Sequence, residues 1–253
     1  MMKDKLIALL FAAMLAISAK AQVGEHRNEF SVGVTGGCVL SNVGFTPTVN
    51  QTLHNGVIGG FMARYKSEKY FSTICSIQME VNYAQTGWKE EILDANDKPV
   101  VNKVTNMPEE YSRTLNYIQV PLLAHLAWGR EYKGLQFFVN LGPQFGYMLS
   151  ESTSSNFDFA TRNMDDRTNP VVAQDTMTVE HKFDYGIAAG AGLEFSLPKL
   201  GHFQVEARYY YGLANIYGST KRDYFAKSNR GDIVIKASYL FDITRTKKIS
   251  RKK

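Results

Sequence analysis

Residues 183–195 read Phe183-Asp184-Tyr185-Gly186-Ile187-Ala188-Ala189-Gly190-Ala191-Gly192-Leu193-Glu194-Phe195. Odd positions are apolar and even positions are acidic or small, so an extended chain presents one apolar and one polar face. On the apolar face Phe183 and Tyr185 stand at one end and Phe195 at the other, with Ile187, Ala189, Ala191 and Leu193 between them. A soluble strand has no reason to grade its apolar face in this way. A strand that crosses a bilayer does, because rings settle at the two headgroup levels and aliphatic side chains fill the hydrocarbon between.

The same alternation recurs on both sides of this segment. Upstream it covers residues 30–38, 57–65, 71–88, 111–128 and 135–149, and downstream it covers 203–213 and 232–243. Pro121 interrupts the 111–128 stretch and requires a bulge or an unpaired place in the ladder. Residues 67–70, 129–134 and 198–201 read as tight turns, whereas 40–56, 89–110, 151–180 and 215–231 are long and polar. Short and long connections alternate strictly, as they do when successive turns lie on opposite sides of one membrane. The predicted fold is all-β: an eight-stranded antiparallel up-and-down transmembrane β-barrel with short periplasmic turns and long extracellular loops.

The two faces separate this barrel from a soluble one. A soluble barrel turns its apolar face inward, whereas a membrane barrel turns it to lipid and lines the lumen with the polar face. Phe203, Tyr209, Tyr211, Tyr239 and Phe241 extend the girdle begun by Phe183, Tyr185 and Phe195. The opposite faces carry Arg64, Glu80, Glu194, Glu206, Arg208 and Lys236. Eight strands enclose room only for their own side chains, so these charges predict a luminal ion-pair plug and not a diffusion pore. Gly186, Ala188, Gly190 and Gly192 are expected to make room for Gln204, Glu206 and Arg208. Function is then sought in the long loops, of which residues 151–180, rich in Ser, Asn, Asp and Thr, read as a solvated segment.

The ends of the chain fix its destination. Lys3 and Lys5, an apolar run from Leu6 to Ile17, and small Ala19 and Ala21 read as a secretory signal over residues 1–21, followed by a barrel domain over 22–243 and a basic periplasmic tail over 244–253. The apolar run is too short for a spanning helix. The formal charge of +5 is concentrated at these ends. Residues 1–21 hold +2 and the tail +6, which leaves −3 for the body and argues against nucleic acid as a partner. Export permits a disulfide, but Cys38 and Cys75 fall near opposite ends of the predicted barrel, so two free thiols are expected.

Catalytic chemistry finds little support. His181 and Asp184, beside Ser150 and Ser152, are a candidate hydrolytic rim, yet their spacing does not place them on one face. His26, His54, His125 and His202 are scattered, and no metal-ligand spacing is present. No catalytic residue, cofactor site or metal site is assigned.

Several short segments resemble a known family. They are Tyr117-Ile118-Gln119-Val120-Pro121-Leu122-Leu123, Gln78-Met79-Glu80 with Tyr83 and Gly87, Gly142-Pro143 with Gly146-Tyr147, Gly190-Ala191-Gly192-Leu193-Glu194, and Arg208-Tyr209 with Gly212-Leu213 and Asn215-Ile216. In order and spacing they resemble the PorT-like outer-membrane β-barrels of Bacteroidetes. The resemblance implies an outer-membrane location, insertion by the barrel-assembly machinery, outer-membrane lipid as surroundings, and secretion-system or other envelope proteins as partners. The basic tail beyond Phe241 departs from barrels that end at a terminal aromatic. Asp175-Thr176-Met177 resembles the short O-glycosylation motif of proteins exported by these bacteria.

Overall fold

The computed structural model describes residues 24–198 and 200–244. The expected signal peptide and all but the first residue of the tail lie outside them. Each alternating stretch forms one strand of the wall: β1 (Glu25–Thr46), β3 (His54–Tyr70), β4 (Thr73–Glu90), β5 (Tyr111–Gly129), β6 (Gly134–Ser155), β7 (Phe183–Leu197), β8 (Gly201–Asn215) and β9 (Lys227–Thr244). A two-residue strand, β2 (Gln51–Thr52), pairs with the far end of β4. All neighbours are antiparallel, β1 pairs with both β3 and β9, and β4 pairs with β5. The sheet therefore closes on itself, and closure leaves the wall without a free edge.

Pro121 occupies the unpaired place it requires. The β4–β5 ladder runs Met79↔Leu122 and then Asn82↔Gln119, so Glu80 and Val81 make no ladder pair with Pro121 and Val120. Pro143 is treated alike, because the β5–β6 ladder skips from Pro121↔Gln144 to Ala124↔Leu141. At the short-turn end, the expected turn at 67–70 is displaced. A register shift between Lys66 and Glu68 lets β3 continue to Tyr70, and Phe71, at φ 50°, makes the turn. Gly129 and Gly134, at φ 133° and 119°, flank the next turn in backbone conformations that a side chain would strain.

The strands outrun their sequence signal at the long-loop end. β1 and β9 stay paired from Ser41↔Asp232 to Thr46↔Lys227, past the predicted stop at Cys38. There the outward positions are Asn42, Gly44 and Thr46, so apolar alternation ends while backbone pairing goes on. Inward-facing Val43 and Phe45 are buried.

The outer face of the wall is the apolar one. Ile77, Met79, Val81 and Tyr83 on β4 are exposed, as are Val57 and Phe61 on β3 and Ile233 and Ile235 on β9. Such a surface is stable against hydrocarbon and not against water. Strand closure also satisfies the backbone polar groups that a bilayer leaves unsolvated. Cys38 and Cys75 are both unpaired, and they lie opposite Val57 and Glu68, far apart along β3.

Candidate functional site

Inward-facing charges meet at mid-wall because neighbouring strands place them at one level. Glu206 stands opposite Gly192 on β7 and Lys236 on β9, and Arg208 stands opposite Gly190. Arg208 Nη1 and Nη2 donate to Glu80 at 3.0 and 2.7 Å, and Lys236 Nζ donates to both Glu80 oxygens at 2.7 Å. Gln78 and Asn82 donate to the same carboxylate at 2.8 Å. Arg208 also bonds Glu206, which lies 3.4 Å from Lys236. Two carboxylates thus face two cations, all fully buried, and the group is neutral as a whole.

The remaining two of the six residues singled out from sequence form a separate pair, Arg64 with Glu194. Two residues that the sequence reading passed over join it to the quartet. His125 Nε2 lies 3.3 Å from Arg64 Nη1 and its Nδ1 lies 2.8 Å from Asn140 Oδ1, while Asn140 Nδ2 donates to Glu206 at 3.0 Å. His202 extends the chain toward the short-turn end, between Glu194 and Asp242. Ser196 Oγ is 2.8 Å from His202 Nδ1, yet this is no hydrolytic triad: carboxylates face both imidazole nitrogens, which suits a bridging cation and leaves no free base.

The glycines of β7 do make room, in part for the tenants expected. A Cβ at Gly190 would stand 2.6 Å from Glu206 Oε1, but one at Gly186 would meet Tyr210 and one at Gly192 would meet Phe138. The girdle residues lie on the opposite, outward face. Phe183, Tyr185, Phe195, Phe203, Tyr209, Tyr211 and Phe241 are exposed and Tyr239 is half-buried, with Phe203 and Tyr239 in ring contact at 4.8 Å.

Higher in the lumen Arg230 is held between the rings of Tyr117 and Tyr210, 4.0 and 5.3 Å from their centroids, and donates to Asp232 at 2.6 Å. Asp184 belongs to this cluster and accepts the Tyr210 hydroxyl at 2.7 Å. The candidate hydrolytic rim is therefore not assembled. Asp184 is buried in the lumen, His181 is exposed, and Ser150 accepts a bond from Asn116.

Above this level the long connections fold into a cap, where a solvated segment was expected. Val49, Ile92, Val100, Phe157, Val179, Ile216, Tyr217 and Phe225, drawn from all four connections, pack with Val43, Phe45, Trp88, Tyr111 and Leu115 of the wall in one apolar cluster. Phe45 is central, with ring contacts to Trp88 at 5.3 Å and Phe225 at 4.9 Å. Arg113 pins the cap from below. Its guanidinium lies over Trp88 and donates to Tyr217 Oη at 3.1 Å, Asp175 O at 3.1 Å and Met177 O. The loops' apolar residues follow no period, so their polar composition hides them.

Two acidic centres sit inside the cap, beyond the lipid-facing band that ends near Tyr83 on β4. Burial alone would raise the Glu109 carboxyl, but Arg167 at 2.8 Å and donors from Asn163 and Asn102 hold it below its ordinary range. Glu90 goes the other way. Burial and the neighbouring Asp175 push it up to about 8, and burial raises Asp175 as well, against the pull of Arg162. Gln174 donates to Glu90 Oε1 at 2.6 Å and Arg162 donates to Asp175 Oδ2 at 2.7 Å, while Asp175 Oδ1 lacks a donor. A proton held between the two carboxyls would give that oxygen a donor. Thr176, within the glycosylation-like motif, is exposed beside the buried Asp175. Among the described residues no group of three or more His, Cys, Asp or Glu side chains is arranged to hold a metal ion.

The chain matches the family model described as outer membrane protein beta-barrel domain over residues 20–218. No curated relative matches it. Among solved structures, its fold is similar to the attachment invasion locus protein Ail of Yersinia pestis, at 16% identity over 86% of this chain and 99% of that one, with a TM-score of 0.33. It is also similar to OprG of Pseudomonas aeruginosa, at 11% identity over 86% and 98%, TM-score 0.45. Neisserial surface protein A matches at 10% identity over 84% and 97%, TM-score 0.37.

Proposed function

Because the chain belongs to the outer membrane protein beta-barrel domain family and is a protein of the outer membrane, we propose that it is a closed, non-enzymatic barrel that acts through its folded outer cap. One observation carries this reading: all four outer connections share a single apolar core seated over a lumen already filled by paired charges. Such a molecule offers outer partners a preformed surface, and a preformed surface loses little entropy on binding. The finer assignment, a PorT-like barrel that serves secretion or envelope organisation, rests on the sequence segments quoted above. Barrel-assembly machinery inserts it, and secretion-system or other envelope proteins are its partners.

The test combines two measurements. In planar bilayers the purified protein gives no stable conductance, and a reproducible open state would refute the closed barrel. Crosslinking of intact outer membranes, followed by copurification, recovers defined partners with the wild type and loses them when the exposed cap residues Val104, Tyr224 and Met164 are replaced by Ser. Equal recovery from both would remove the cap from the interaction.

A further inference from the structure

The wall carries a small polar recess at the outer headgroup level, where β8 and β9 part. Their ladder runs to Tyr211↔Gly231 and resumes only at Asn215↔Asn229. Beside this break lies a cavity of about 110 Å³, lined by Asn42 and Gly44 of β1, Tyr209 and Tyr211 of β8, and Lys227 and Asn229 of β9. Asn229 faces outward by register, yet it is only 7% exposed. Its Nδ2 donates to Gly212 O at 2.9 Å, and its Oδ1 lacks a donor.

That oxygen is itself buried, and Asn229 lines the recess beside Gly44. A Cβ at Gly44 would stand 3.0 Å from Asn229 Oδ1, and one at Gly231 would stand 3.0 Å from Asn42 Oδ1 and 3.3 Å from Tyr209 Oη. Glycine at both positions therefore keeps a side chain from crowding these polar atoms. Lys227 Nζ lies 6.0 Å from the Tyr211 ring centroid and supplies a cation at the mouth. Tyr209 and Ile233, paired on the lipid side below, continue the recess into the hydrocarbon band.

We propose that this recess binds the headgroup of a phosphorylated glycolipid of the outer leaflet. The phosphate pairs with Lys227, a sugar hydroxyl or amide N–H donates to Asn229 Oδ1, and the acyl chains descend past Tyr209 and Ile233. A basic residue with an aromatic platform at the membrane surface suits an anionic headgroup. The buried acceptor selects further: a phosphodiester, ionised at neutral pH, has no proton to give Asn229, whereas a sugar hydroxyl or amide N–H does.

The experiment places the full chain in nanodiscs of zwitterionic lipid doped with bisphosphorylated lipid A, and counts retained lipid by native mass spectrometry. Dephosphorylated lipid A and phosphatidylglycerol serve as the other two probes. Phosphorylated lipid A is expected to be retained over both, and Lys227→Gln should weaken that retention about tenfold, a change equivalent to one good charged contact. Asn229→Ala should lower it too and narrow the gap to phosphatidylglycerol. Lys227 is exposed, so its variant keeps the barrel folded, which heat-modifiable migration on gels verifies. Equal retention of the three lipids, or undiminished retention by Lys227→Gln, overturns the proposal.

Discussion

The mid-wall quartet and the outer cap solve the same problem, filling the end-to-end axis of a narrow barrel, with opposite chemistry. The quartet is made of charges whose worth depends on complete pairing: Glu80 alone accepts bonds from Arg208, Lys236, Gln78 and Asn82. The cap is made of apolar rings whose worth depends on area removed from water, with Phe45 in ring contact with Trp88, Tyr217 and Phe225. A charged plug is brittle, since one missing partner strands the others. An apolar plug is graded, since each lost ring subtracts its own share and the rest can settle.

The largest effect should therefore come from the quartet. Glu80→Ala leaves Arg208 and Lys236 facing each other in a dry lumen, with Glu206 alone to balance them, and should cost about 3–5 kcal/mol. Reversible urea unfolding in lipid vesicles measures it. Replacing all four residues of the quartet, Glu80, Glu206, Arg208 and Lys236, together by Met or Leu should recover much of that loss. If the single variant proves as stable as the wild type, the quartet is solvated and the contrast with the cap collapses.

Phe225→Ala should come next, at about 3 kcal/mol, the lower end for a fully buried ring because a loop can partly close the gap. The distinguishing prediction is where the loss appears. Hydrogen exchange should accelerate in residues 156–182 and 216–226, while the unfolding midpoint of the wall moves little. A global shift of the same size would mean that cap and wall unfold as one unit. Arg113→Lys should cost less, about 1.5–3 kcal/mol, since an ammonium cannot reproduce the guanidinium fork toward Tyr217, Asp175 and Met177. Its signature is faster exchange confined to the segment around Asp175, measured against Arg113→Ala.

What the sequence discloses follows the same division. The wall was legible because lipid and lumen impose a strict period of two, and parity alone puts Glu80, Glu194 and Arg208 on the face opposite Ile77, Leu193 and Tyr209. The same parity marked His125 and Asn140 as inward, but single polar residues among apolar neighbours carry no sign of whom they join. Arg230 falls in the stretch 215–231 that reads as a loop, and its partner Tyr117 comes from a strand far away in sequence. The cap was illegible for a different reason. Val100, Phe157 and Phe225 are isolated apolar residues in polar stretches, and only the ring of strands beneath brings them within reach of Phe45 and Trp88. Strand ends were misjudged where outward positions change from apolar to polar at Asn42, although the backbone ladder does not change there.

The gentlest perturbation is a titration of the cap, with a slope of at most about 1.4 kcal/mol per pH unit for one proton. Glu90 stands at about 8 in the folded cap against an ordinary 4.5, with Asp175 raised beside it. Between those limits the folded cap holds a proton that the opened cap releases, so opening becomes easier as pH rises from 4.5 to 8 and levels off above. Arg162, Arg167 and Arg113 face the pair and offset part of the cost once both carboxyls ionise, which keeps the slope below its limit. Glu109 does not confuse the window: its carboxyl is lowered, so its contribution is lost only on acidification below the ordinary range. Hydrogen exchange of residues 156–182, corrected for the intrinsic effect of pH, should show greater protection at pH 6 than at pH 8.5. Glu90→Gln supplies a permanent donor to Asp175 Oδ1 and should flatten the profile at the protected level. A wild-type profile already flat from pH 5 to 8.5 would show that the pair carries no shared proton, leaving the orphaned oxygen to a different donor.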